Sequence, residues 1–240
     1  MTNPKILVVI CNYNHNHFLK ESIESIQNQS YDNLDICVVD DGSDNTDEVY
    51  EILGSFKNDS RVRSIFQPNS GKWHALNEAI KSSDADICTS HDADDVSLYD
   101  RIRLQFSVLT HTKTYHNLCG FHHCWNEQDV QSRKNFRHEG PCSFLDAETV
   151  SKHVNDGFTH PNINHYYTGQ FETAGVSAMF YKDLWTRGLR FNPPGLGLRV
   201  LLSEDSDFNF RVTQTYGKTS IVTEQLYLYR RNTSTNQELS

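Results

Sequence analysis

Two strand-like runs near the start of the chain, Ile6–Cys11 and Leu34–Val39, each break off at a polar cluster, and no other feature limits the possible folds as much. Ile6-Leu7-Val8-Val9-Ile10-Cys11 has no polar face, so it suits a strand covered by helices on both sides of a parallel sheet. Between the runs, Leu19, Ile23 and Ile26 recur at helical spacing, which predicts a helix from about Phe18 to Gln29. Strand, helix and strand in that order make a right-handed βαβ unit.

The alternation continues. Asp44 or Thr46 can cap a helix over 47–56, Val62–Phe66 reads as a third strand, and Asn69-Ser70-Gly71-Lys72 opens a helix over His74–Ser82. Ala85–Thr89 is a fourth short strand. Residues 1–110 therefore predict a nucleotide-binding α/β half, whose polar strand ends line the edge where open α/β sheets bind ligands.

Ser90-His91-Asp92-Ala93-Asp94-Asp95 packs three carboxylates into four residues at one such end. Like charges this close repel unless a cation sits among them, and hard oxygen ligands suit Mg²⁺ or Mn²⁺. Mg²⁺ held by one or two carboxylates is usually completed by substrate phosphates, so a phosphate-bearing substrate bridged through a divalent ion is expected. The plainer alternative is an Asp-rich turn that caps the helix beginning near Asp100.

At 240 residues the chain suits a single domain with a substantial core. A hydrophobic content of 37% argues against disorder, and a formal charge of −9 without a Lys/Arg cluster argues against nucleic acid as a partner. The early apolar run is too short for a transmembrane segment or signal core, so a cytoplasmic protein is expected, with peripheral membrane association open. Six scattered cysteines, three of them in strand-like runs, fit small buried residues in a reducing compartment. Cys119-Gly120-Phe121-His122-His123-Cys124 contains zinc-type ligands. As a strand, however, it sends Cys119, Phe121 and His123 to one face and His122 and Cys124 to the other.

The order of motifs resembles glycosyltransferase family 2. The resemblance rests on Val8–Asn14, Val38–Ser43, Asn69–Lys72 with Ala75-Leu76-Asn77, and Asp92–Asp95, then on Gly175–Phe180, Ser203-Glu204-Asp205 and Tyr227–Arg231. It implies the GT-A fold: an α/β single domain over 1–240 with a mixed central sheet. A Rossmann-like nucleotide-sugar-binding half (1–110) would precede an acceptor-binding half (111–225) and a C-terminal tail (226–240). Gly175–Tyr181 is expected as a strand, followed by a helix from Lys182.

By the same resemblance Cys11, Tyr13, Asp41, Lys72, Asp92, Ala93 and Asp94 bind the nucleotide. Tyr13 would stack on the base, Asp41 would accept the uracil ring N–H, and Lys72 would meet the phosphates at a helix start. One of Asp40 and Asp41 is expected to be structural. The metal, Mn²⁺ or Mg²⁺, is expected on Asp94 and then Asp92, while Asp95 would orient the loop or cap a helix. Asp205 would be the general base, with Glu204 orienting the acceptor or a loop. Simple capping, with Ser203 at the cap and both acids in the first turn, is the alternative. Family members commonly carry a His after the Tyr-Arg pair, where this chain has Asn232. The diphosphate contact is then assigned to Arg230, Arg231 and Asn232.

The implied activity is metal-dependent, inverting transfer of a hexosyl or N-acetylhexosaminyl group from a UDP-linked sugar donor to a glycan or other hydroxyl acceptor in cell-surface polysaccharide assembly. A sugar-1-phosphate nucleotidyltransferase would show a Gly-rich basic loop after the first strand, which Asn12-Tyr13-Asn14-His15 is not. A silent nucleotide- or carbohydrate-binding module is favoured by Asn232 and opposed by Asp92, Asp94 and Asp205.

Overall fold

The computed structural model describes residues 3–150, 173–194 and 203–231. The first part alternates strand and helix: β1 (Ile6–Asn12), α1 (Asn16–Gln27), β2 (Leu34–Asp40), α2 (Thr46–Gly54), β3 (Val62–Phe66), α3 (Lys72–Ser82) and β4 (Ile87–Asp92). A short β5 (Val96–Ser97), α4 (Arg101–His111), β6 (His116–Cys124), α5 (Glu127–Arg133) and β7 (Phe144–Leu145) follow. Then come β8 (Met179–Tyr181), α6 (Lys182–Thr186), α7 (Glu204–Tyr216) and β9 (Thr219–Arg230).

All these strands join one sheet in the order β3-β2-β1-β4-β8-β6-β9-β5, with β7 paired to β9. β3, β2, β1 and β4 run parallel, β8 is antiparallel to β4 and β6, and β6 and β9 are parallel. The expected mixed α/β sheet is thus the observed one. Because both faces are covered, β1 is apolar from Ile6 to Cys11 and its side chains divide by parity. Ile6, Val8 and Ile10 pack with Leu19, Ile23, Val49 and Ile102 on one face. Leu7 and Val9 pack with Leu76, Ile80, Phe180 and Phe208 on the other. Among the described residues no helix is long and apolar enough to cross a membrane.

The structure differs from expectation in four places. β4 runs on to Asp92, so the first acid of the cluster sits in the strand. Asn45, not Asp44 or Thr46, caps α2, its side chain accepting from the Glu48 N–H. Gly175–Ser177 forms a 3₁₀ turn because the Ser177 hydroxyl and N–H both bond the Ala174 carbonyl, and only Met179–Tyr181 is strand. The boundary drawn at 225/226 falls inside β9, where Tyr227 and Leu228 pair with β5. Gly120 marks a register shift in β6, where a Cβ would lie 2.8 Å from the Glu224 carbonyl oxygen.

Candidate active site

Register aligns Cys11 of β1 with Val39 of β2 and with Asp92 of β4, so these strands finish at one level. Beyond their carboxyl ends lies a cavity of about 390 Å³. Every residue expected at the nucleotide lines it: Cys11, Tyr13, Asp41, Lys72, Asp92, Ala93 and Asp94. His15 and Tyr229 line it too, and sequence reasoning passed over both. Tyr229 was signalled by the Tyr-Leu-Tyr alternation in β9, whereas His15 had only its place in a polar loop.

The two aspartates after β2 separate cleanly. Asp40 is turned inward: its Oδ1 accepts from Asn12 Nδ2 at 2.8 Å and Ser43 Oγ at 2.6 Å, and its Oδ2 from Ser43 N–H at 3.2 Å. Asp41 instead holds the loop before α3. Its Oδ1 accepts from Gln67 Nε2 at 2.7 Å and Ser70 N–H at 2.8 Å, and its Oδ2 from Gly71 N–H at 2.8 Å. Gly42 permits this approach: its φ is +79°, and a Cβ there would lie 2.7 Å from Asn69 N.

Asp41 thereby fixes the start of α3 and with it Lys72. The Lys72 ammonium lies 2.6 Å from Asp92 Oδ1 and 3.4 Å from Glu204 Oε1. Burial alone would lower the Lys72 pKa, but Asp92, Glu204 and Asp205 outweigh it and hold the ammonium well above its ordinary range. Burial raises Asp92 and Glu204 despite Lys72, and Asp94 and Asp205 respectively add to the effect.

The three acids of the cluster have different surroundings. Asp94 Oδ2 lies 3.3 Å from His15 Nδ1. Asp95 is wholly buried; its Oδ1 accepts the Arg230 N–H at 2.8 Å and its Oδ2 makes no hydrogen bond. The Tyr227 hydroxyl accepts the Asp92 N–H at 3.0 Å. Burial, with the charges of Asp94 and Asp92, still holds Asp95 well above the usual carboxylate range. One oxygen from each of the three lies within 4.8 Å of the others. Hard oxygens this close, one of them buried without a partner, fit Mg²⁺ or Mn²⁺.

Behind the cluster Arg101 is buried, and among the described residues it has no carboxylate partner. It donates to Thr89 Oγ1 at 2.8 Å, the Ser90 carbonyl at 2.9 Å and Ser97 Oγ at 2.9 Å. It braces β4 against β5, a role the sequence did not signal.

Glu204 and Asp205 open α7. Ser203 occupies the cap position without capping, since its hydroxyl bonds Asp205 Oδ1 instead. The Ser206 N–H donates to the same oxygen at 2.6 Å.

Of the residues assigned to the diphosphate, Arg230 is not brought into the cavity. Its guanidinium is engaged by Glu21, by Glu127 and by the Asp94 carbonyl at 2.6 Å, and only 4% of the residue is exposed. Arg231 donates to His123 Nδ1 at 2.9 Å and lies over the Tyr229 ring, at the edge of the cavity wall. Asn232 lies outside the described residues.

The family model described as glycosyl transferase family 2 matches residues 7–185. The chain belongs to that family. Among the curated relatives, the uncharacterized glycosyltransferase EpsJ of Bacillus subtilis is 26% identical over 246 residues, covering 98% of this chain and 64% of EpsJ. An uncharacterized glycosyltransferase of Rickettsia bellii is 30% identical over 109 residues, covering 45% of this chain and 16% of that protein. The chain thus spans only part of the length of these relatives.

The crystal structure of S. aureus TarS 1–349 superposes with a TM-score of 0.69 at 14% identity, covering 94% of this chain and 60% of that one. TarS has also been solved with UDP and with UDP-GlcNAc. The mannosyltransferase PcManGT of Pyrobaculum calidifontis, solved with GDP-Man and Mn²⁺, gives a TM-score of 0.62 at 18% identity, covering 96% and 57%. At these identities the likeness is one of fold, and the fold is GT-A.

Proposed function

We propose that this family 2 chain is a metal-dependent, inverting glycosyltransferase that takes a sugar from a UDP-linked donor and passes it to a glycan hydroxyl in surface-polysaccharide assembly. The observation that carries the reading is the single cavity in which Tyr13, Asp41 and Lys72 face the Asp92–Asp94 pair. That UDP and UDP-GlcNAc bind the similarly folded TarS supports the choice of nucleotide.

Tyr13, 41% exposed at the cavity mouth, stacks on the base. Asp41 uses three of about four acceptor positions on the loop before α3 and keeps one for the uracil N–H. Asp94, with Asp92 or Asp95, holds the divalent ion. When bound, that ion supplies Lewis-acid stabilisation of the charge developing on the leaving diphosphate. Lys72 adds a second positive charge beside the same carboxylates.

Asp205 is the base. Its Oδ1 is fixed by Ser203 and Ser206, leaving Oδ2 to take the acceptor proton as the new glycosidic bond forms opposite the leaving diphosphate. Glu204 balances Lys72. The test is UDP release from a panel of UDP-sugars with Mn²⁺ and carbohydrate acceptors, with the product anomer read by NMR. Asp205→Asn is expected to lower turnover by about 10² or more while donor binding persists. Unchanged turnover, or a product that retains the donor's configuration, sinks the assignment.

A further inference from the structure

His15 stands where a helix cap is expected and does not act as one. It occupies the N-cap position of α1, a position that favours Ser, Thr, Asp or Asn, yet it makes no side-chain capping bond. Its ring turns instead toward the cavity, with Nδ1 3.3 Å from Asp94 Oδ2, and the residue is only 8% exposed.

The preceding loop is built to hold it there. Asn14 has a positive φ of 58°, a conformation that few residues besides Gly adopt and that Asn reaches through local side-chain hydrogen bonds. It is secured by Ser43 and Asp44: its N–H donates to Ser43 Oγ at 3.0 Å, its Oδ1 accepts the Asp44 N–H at 2.8 Å, and its Nδ2 donates to Asp44 Oδ2 at 3.1 Å. The His15 carbonyl is fixed in turn by the Phe18 and Leu19 N–H groups. These bonds hold the backbone that carries the imidazole, and the ring itself is packed beside Asp94.

We propose that His15 is a direct ligand of the divalent ion, adjacent to Asp94 in its coordination sphere, and that it makes the site selective for Mn²⁺ over Mg²⁺. The inference rests on the metal reading above. Ligands at right angles on an ion with bonds near 2.1 Å lie about 3 Å apart, so the observed Nδ1 to Oδ2 separation needs little adjustment. The oxygens of Asp92, Asp94 and Asp95 give no preference between the two ions. An imidazole nitrogen does, because it binds first-row transition ions better than the harder Mg²⁺.

The experiment is Mn²⁺ binding followed by electron paramagnetic resonance on the whole purified chain, with UDP present. Wild type, His15→Ala, His15→Gln and Asp94→Asn are compared, and Mg²⁺ is measured by competition. Electron spin-echo modulation from a coordinated ¹⁴N is expected in the wild type and is lost in both His15 variants. Mn²⁺ affinity falls by at least about 10-fold in those variants, while Mg²⁺ affinity changes less.

Bound Mn²⁺ without ¹⁴N modulation in the wild type, which needs no variant to fold, overturns the proposal. So does an equal loss of Mn²⁺ and Mg²⁺ affinity on His15 substitution, the mark of a hydrogen bond to Asp94 alone. Unchanged Mn²⁺ binding in Asp94→Asn overturns the metal reading itself, and the His15 assignment with it.

Discussion

Lys72 Nζ lies 2.6 Å from Asp92 Oδ1, which fastens the start of α3 to the last residue of β4. The same ammonium reaches Glu204 at the head of α7, so one lysine joins three elements that also pack together in the hydrophobic core. Only about a quarter of each side chain in the Lys72–Asp92 pair is exposed, so solvent screens the pair weakly.

Replacing Lys72 by Met leaves Asp92 and Glu204 without their shared cation. A loss of about 2 kcal/mol at pH 7 is expected, less than for a fully buried pair. Both carboxyls already have raised pKa values, and losing Lys72 raises them further. The loss is therefore largest where they must ionise and shrinks as pH falls and they take up protons. Urea denaturation of both proteins at pH 7 and pH 5 checks this. Equal stability at pH 7 contradicts it.

Arg230 is tied to Glu21, Glu127 and the Asp94 carbonyl, so it positions the acidic turn from behind. Arg230→Met is expected to destabilise the ligand-free protein by about 1–2 kcal/mol, because it leaves the part-buried Asp94 carbonyl without its donor and removes the buried cation shared by Glu21 and Glu127. Thermal melts without nucleotide or metal read this directly. Unchanged melting combined with weaker UDP binding would return Arg230 to the diphosphate.

His116 lies wholly buried between Asn209 Oδ1 at 2.9 Å and Thr219 Oγ1 at 3.1 Å, and burial pushes its pKa from 6.5 down to about 4. Above pH 6.5 both folded and unfolded chains hold it neutral, so its contribution is complete. As pH falls from 6.5 to 4 only the unfolded chain takes the proton, and about 3 kcal/mol is lost. The acids around Lys72 work in the opposite sense, so the readout is wild type against His116→Gln across pH 4–7. Wild type should lose stability relative to the variant on acidification, and parallel profiles would contradict the assignment.

Much of this was legible in the residues. The parity of β1 and the apolar runs that alternate with helices placed β1 to β4, and the polar ends of those strands named most of the cavity wall. What the residues did not reveal is directional. Asp40 and Asp41 are chemically identical neighbours, and only the backbone decides that one turns to Asn12 and the other to the Ser70 and Gly71 amides. Arg230 next to a tyrosine reads as a phosphate contact until Glu21 and Glu127, distant in sequence, are seen to claim it. The Gly175–Ser177 turn is set by a serine hydroxyl satisfying a local carbonyl, which strand propensity does not weigh.

The central claim is a nucleotide site completed by a divalent ion on Asp94. Calorimetric titration of UDP into the wild type and Asp94→Asn, each with and without Mn²⁺, tests it most directly. The account predicts binding to the wild type that is tightened at least about 10-fold by Mn²⁺, and no such gain in Asp94→Asn. No UDP binding to the wild type in either condition, or an equal Mn²⁺ effect in both proteins, would contradict it.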